Sequence, residues 1–348
     1  MALAMSVDSA LSFFACVAIA AAIVYLGLVQ HGARTRIAAS AGVAALLLVA
    51  GFAGGWSALV GERPDTPLLP VGEHIDRLVD WLVVRYGDFL GDINNWIVHK
   101  IGFFERFLYQ SIAWPLMALL FAAIAFHASR SLQLAATVVV AFALIWSLDL
   151  WTPTMQTLSL MSVSLLVTVV FGLPTGILMS QSDRFRAVMT PILDFMQTMP
   201  SFVYLIPVVM LFGLGTFSGV IATMIYAAPP LMRLTDLGIR LVDKEVIEAA
   251  TAFGATRRQT LFGVQIPLAL PNIMAGVNQS IMMALAMVVI ASMIGVRGLG
   301  QEVLYGLQRQ EPGAGFVAGL SIVLLAIVLD RITQAYGRRL AAHREVAH

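Results

Sequence analysis

The stretch VDKEVIEAATAFGATRRQTLFGVQIPLALP, residues 242–271, is a polar, charged interval set between two long apolar blocks. It reads as two short helices around a bend. Glu245, Val246, Ile247, Glu248, Ala249 and Ala250 form the first, with acids in its opening turn, where the helix macrodipole favours them, and small residues on a face that a partner can approach closely. Gly254 permits a left-handed bend, which a residue with a Cβ makes only at a cost. Thr256 is placed to cap the second helix, while Arg257 and Arg258 put positive charge on its first turn, where the dipole gains nothing from it. Charge placed against helix stability points to a docking surface or a cytoplasmic topology signal. The plainer alternative is a surface hairpin joining two spans.

Outward from this stretch, composition sets the class. Of 348 residues, 59% are hydrophobic and 12% charged, and the mean hydropathy is +0.87. An average soluble domain carries about 25% charged residues, so this chain is predicted to be an all-α, polytopic membrane protein in contact with the lipid bilayer. A net charge of +1 argues against a nucleic-acid partner, and a single cysteine, Cys16, excludes an intrachain disulfide or a cysteine metal cluster. No Lys or Arg precedes the first apolar run, which argues against a cleavable signal.

Apolar runs of about the 20 residues that cross a bilayer fall at 10–29 and 37–59, an N-terminal hairpin within residues 1–60. Residues 61–110 differ in character. After Pro64, Pro67 and Pro70, the apolar residues Ile75, Leu78, Val79, Leu82, Tyr86, Phe89, Ile93, Trp96 and Ile97 recur at helical spacing, with Asp76, Arg77, Asp80, Arg85, Asp88 and Asp92 on the other face. That pattern predicts an extracytoplasmic amphipathic segment lying on a membrane surface or on its neighbours. Accessory spans are expected within residues 111–151, at 111–127 and 132–150, and core spans at 155–179, 192–212, 217–232, 273–296 and 316–336 within residues 152–337. The total is about nine spans, followed by a cytoplasmic tail over 338–348. Threading them places Arg34, Arg36, Arg130, Arg184, Arg186, the basic group from Arg233 to Arg258 and the C-terminal arginines on one side, which the positive-inside rule makes cytoplasmic.

Prolines in or near the core spans, Pro174, Pro191, Pro200, Pro207, Pro229 and Pro230, free backbone groups that neighbouring helices or water must satisfy, which suits a transporter better than a passive anchor, with a kinked structural bundle as the alternative. Polar residues inside the spans are candidates for a pore lining: Asn278, Gln279 and Ser280, in a run that directly follows the hairpin, and Ser292 further along it. Interhelical hydrogen bonding is an equally weighted role for them. Gly295, Gly298 and Gly300 read as an outer gate or a turn. There is no Gly-x-x-x-x-Gly-Lys-Ser/Thr loop, so no catalytic residues and no nucleotide cofactor are assigned, and the six histidines show no ligand spacing for a metal. Asp149 and Asp330 read as lying near span ends, which counts against an ion-coupled carrier.

The residues Glu248-Ala249-Ala250, three more, Gly254, nine more, then Val264-Gln265-Ile266-Pro267 resemble the Glu-Ala-Ala loop of ATP-binding-cassette importer permeases, with Val264 and Ile266 standing for the usual Ile and Leu. The runs 194–207, DFMQTMPSFVYLIP, and 275–280, AGVNQS, together with 288–296 leading to Gly298-Leu299-Gly300, resemble permeases of glycine betaine and proline betaine uptake systems. The first sixty residues depart from that pattern by adding a hairpin. The resemblance implies a type I importer permease in the bacterial inner membrane. It further implies a homodimeric pore, an ATP-binding-cassette ATPase subunit docked on the loop at 242–271 through Glu248, Ala249, Ala250, Gly254, Arg257 and Pro267, and an extracytoplasmic substrate-binding protein. It implies osmoprotection by uptake of quaternary ammonium compounds, with choline, carnitine or an amino acid as alternative substrates of the same architecture. All six Trp lie at or before Trp151. An aromatic cage for a quaternary ammonium is therefore expected on the binding protein and not in this core.

Overall fold

The computed structural model describes residues 71–345, so the hairpin expected within 1–60 lies outside the described residues. Backbone contacts divide the chain between Leu78 and Val79. Of the first unit only the opening of helix α1 is described, where Arg77 pairs with Glu73 at 3.1 Å. The second unit runs from Val79 onward and, among the described residues, contains helices and no strand.

Helix α1 (Val71–Arg106) ends in a π turn (Phe107–Ser111), and α2 (Trp114–Ser129) and α3 (Leu132–Ser147) follow as an apolar hairpin. Pro115 sits in the first turn of α2, where a missing N–H costs nothing. The hairpin is held by stacked Trp114 and Trp146, 4.8 Å between ring centroids, and by Phe142, buried against Phe121. The helix through Ser111 meets α2 at 104°.

Among the described residues, four helices are long and apolar enough to cross a membrane: α4 (Trp151–Gln181), α7 (Thr216–Arg240), the combined run Arg257–Ser292, and the Pro312–Leu340 part of α12 (Pro312–Glu345). Up to six qualify if each bent pair counts as one span, and α3 is a shorter apolar helix. Apart from the one at 192–212, each span expected from residue 111 onward coincides with a helix, but the full count of about nine is not reached among the described residues. The tail expected from residue 338 continues α12 as helix to Glu345.

One expected span is broken. Residues 192–212 fall partly in α5 (Asp183–Thr198), then a 3₁₀ turn (Ser201–Tyr204), then α6 (Leu205–Phe212), with a 111° bend between the two parts. Pro200 is the cause, because the residue before proline is pushed out of the α region, and Met199 is extended at φ −67°, ψ 135°. Three acid–base pairs then hold α5 to α7: Asp183 with Arg240, Arg186 with Asp236 and Asp194 with Arg233.

The centre is α4, α7 and α10 (Ile266–Ser292) packed through small residues, as membrane helices do when backbones approach closely. A Cβ on Gly176 would sit 2.6 Å from Thr235 Cβ and 2.7 Å from the Met232 carbonyl, and one on Gly276 would sit 3.1 Å from Leu231 Cα. Leu231, Ala269 and Ile273 fill the space between them. Helices α11 (Leu299–Gln308) and α12 complete the bundle. The turn before α11 places Leu299 N–H on the hydroxyl of Thr157 in α4 at 2.9 Å, so Gly298 and Gly300 serve a close-packed turn in which added Cβ atoms would collide with Thr157 and Val288.

Candidate coupling hairpin

Helix α7 ends at Arg240, and three residues later the hairpin begins. Val242 is buried and anchors its base. Asp243 caps α8 (Lys244–Ala252) by accepting from Glu245 N–H at 2.9 Å. The helix ends as the sequence predicts: Gly254 has φ +83°, and Ala255 N–H returns to the Ala250 carbonyl at 3.1 Å, closing the C-terminus in the left-handed manner. Thr256 and Gln259 form a reciprocal capping box that starts α9 (Arg257–Thr260). Helix α9 runs through a π turn (Leu261–Gln265) into α10, with Thr260 and Leu261 buried at the pivot. Pro267 lies in the first turn of α10, where the wider π turn ahead of it relieves the backbone that proline cannot hydrogen-bond.

Every backbone constraint thus fixes the shape of α8, yet no residue of α8 is buried. Glu248, Ala249, Gly254 and Arg257 are exposed, and Ala250 is half-buried. Among the described residues neither Glu248 nor Arg257 makes an ion pair. At the tip, Phe253 is 94% exposed. Sequence reasoning did not single it out, since an apolar residue at a helix end reads as core; only its exposure marks it.

The pore candidates separate. Ser280 donates to the Ala227 carbonyl of α7 at 2.7 Å and is fully buried, and Asn278 donates to Asp330 of α12 at 2.9 Å. Ser292 donates within its own helix to Val289. Gln279 is exposed, beside an open cleft of about 380 Å³ between α10 and α12 that Asn278, Thr333, Gln334 and Arg338 also line. Asp330 lies within the Pro312–Leu340 stretch of α12, half-buried, and receives a second donor from Gln334 at 2.7 Å. Its pairing with Asn278, 52 residues away, is what linear reading of the sequence could not show.

A profile of the family described as binding-protein-dependent transport system inner membrane component matches residues 168–342, from within α4 to within α12 and across the whole hairpin. Among curated proteins, the glycine betaine/carnitine transport permease protein GbuB of Listeria monocytogenes is 46% identical over 279 residues, covering 79% of this chain and 98% of that protein. The chain belongs to this family. The permease is similar, too, to the glycine betaine transport system permease protein OpuAB of Bacillus subtilis, at 45% identity over 77% of this chain and 94% of that one. The glycine betaine/proline betaine transport system permease protein ProW of Escherichia coli is 46% identical over 78% and 76%. Among solved structures, the MetNI methionine ABC transporter in an inward-facing conformation matches at 21% identity over 53% of this chain and 93% of that one, with a TM-score of 0.49. The permease is therefore a multi-pass inner-membrane component of a binding-protein-dependent transport system.

Proposed function

We propose that the permease is the pore-forming, non-hydrolysing subunit of an ATP-driven importer for glycine betaine, proline betaine or a related quaternary ammonium compound. It works as a homodimer, with one separate ATPase subunit docked on each hairpin and a binding protein delivering solute from outside. The observation that carries the reading is α8: a helix capped at both ends and held in one shape while none of its residues is buried. Isolated helices of nine residues are marginal in water. A rigid, uncovered one with an apolar tip is built to be covered by a partner. The substrate class rests on relatives whose names carry glycine betaine and which align over most of the chain. Asn278, Gln279, Ser280 and Ser292 remain candidates for lining or bracing the path, with Asn278 and Ser280 doing so through their bonds to α12 and α7.

The test is uptake in liposomes. Permease, cognate ATPase and binding protein are reconstituted together and supplied in turn with labelled glycine betaine, proline betaine, choline and carnitine. ATP-dependent accumulation of at least one betaine supports the reading. Uptake that follows an imposed ion gradient and ignores ATP overturns it.

A further inference from the structure

Asp236 is 4% exposed and lies one turn before the end of α7. Two guanidinium groups hold its carboxylate: Arg186 of α5 donates from Nε to Oδ2 at 2.9 Å, and Arg240 of α7 donates from Nε to Oδ1 at 2.8 Å. Arg240 also donates from Nη1 to Asp183 Oδ1 and from Nη2 to the Met179 carbonyl, each at 2.8 Å. One buried carboxylate therefore ties together the end of α4, the start of α5 and the end of α7. On either side of this joint the helices approach closely at glycines: a Cβ on Gly176 would collide with Thr235 and the Met232 carbonyl between α4 and α7, and a Cβ on Gly238 would sit 2.7 Å from Asn272 Cβ between α7 and α10. The hairpin enters from α7 and leaves into α10, so its base is closed by the same layer of contacts.

We propose that Asp236 is a positioning residue of the transport cycle: through Arg186 and Arg240 it makes α5, and the half-length helix α6 beyond the Pro200 bend, follow the hairpin when the ATPase moves it. The apolar contacts of α6 supply the other end of the linkage, since Leu205 and Val208 are buried against Val220 and Ala222 of α7. Coupling of this kind requires an element whose position both ends bias. Helix α5 meets that need, because Asp183, Arg186 and Asp194 all bind α7 while Val188, Ile192 and Phe195 are exposed. No local pattern in the sequence announces the joint: Arg186 and Asp236 lie far apart along the chain, and each alone reads as a surface charge.

The inference rests on an ATPase docking at α8, and the experiment separates the two ideas. Full-length permease assembled with its ATPase and binding protein is reconstituted, and solute moved per ATP hydrolysed is measured beside hydrolysis without solute. Asp236→Asn should lower solute per ATP about fivefold or more, the low end of ordinary coupling energies, with basal hydrolysis unchanged, and Asp236→Glu should recover most of it. Arg186→Gln, at a side chain that is 45% exposed, should show the same uncoupling in a permease whose buried carboxylate keeps Arg240. Wild-type solute per ATP in Arg186→Gln overturns the proposal, whatever Asp236→Asn does to assembly. So does a loss in Asp236→Asn that Asp236→Glu fails to repair. Gly254→Val is run in parallel. If it transports as wild type, the docking reading falls; if it is uncoupled while Asp236→Asn and Arg186→Gln are normal, only the joint falls.

Discussion

Gly254 and Phe253 occupy adjacent positions and fail in different ways. A Cβ at Gly254 would meet nothing within 4 Å, so the constraint there is φ +83° alone. A β-branched residue at that φ costs roughly 1 to 3 kcal/mol, whereas Asn tolerates the left-handed region. Gly254→Val should therefore reach the membrane but lose solute-stimulated ATP hydrolysis and uptake together, while Gly254→Asn keeps both; equal behaviour of the two variants in a reconstituted hydrolysis assay would show that the bend does not matter. Phe253, with nothing to pack on, should tolerate Asp without loss of permease stability. Yet as the apolar tip of a docking helix its truncation should cost about 2 kcal/mol or more of ATPase affinity, the scale of an interface hot spot. A pull-down titration of Phe253→Asp against the ATPase subunit measures that loss directly. Much of this was legible beforehand, because the cap at Thr256 and the bend at Gly254 are local signals carried by a few consecutive residues. Asp236, Asp330 and Phe253 were not, since their meaning depends on what faces them across the bundle.

At the scale of elements the same division holds. The long apolar runs of α4, α7, α10 and α12 announced themselves, because a helix that must satisfy its backbone inside a bilayer has to be long and apolar. The break between α5 and α6 did not. Its apolar residues count toward a span in a linear reading, and only the Pro200 bend and the ion pairs to α7 turn them into a charged surface helix followed by a short apolar one. The α4–α7 contact makes a sharper claim about stability. Gly176 has the Met232 carbonyl 2.7 Å from where a Cβ would stand, and backbone cannot rotate away. Overpacking of this kind costs typically 1 to 3 kcal/mol, so Gly176→Val should lower the melting temperature and the yield of purified permease. Gly313→Ala, where a Cβ meets nothing within 4 Å, should change neither. Thermal unfolding in detergent, followed by tryptophan fluorescence, distinguishes them.

For the whole molecule, the positive-inside rule makes a prediction about orientation that depends on which helix ends share a side. Arg339 of α12 donates to the His127 carbonyl near the end of α2, and Arg240 of α7 donates to the Met179 carbonyl near the end of α4. These contacts bring Arg130 level with the C-terminal arginines, and Arg184 and Arg186 level with the hairpin, as the positive-inside threading requires. The same threading predicts that Asp88, exposed on α1, lies outside. A cysteine at Asp88 in a Cys16-free background should react with a membrane-impermeant maleimide in intact cells, or in spheroplasts where an outer envelope intervenes. Labelling only after the membrane is opened would invert the threading.

The π turn at Leu261–Gln265 carries a mechanical corollary. A π turn holds one residue more than the α-helical register allows, and one residue is about 100° of rotation at 3.6 residues per turn. The face of α9 is therefore turned about 100° around the α10 axis from where an unbroken helix would carry it. That surplus residue is stored slack: taken up into regular α-helix, it would swivel the hairpin about the α10 axis while every contact below Ile266 stayed in place.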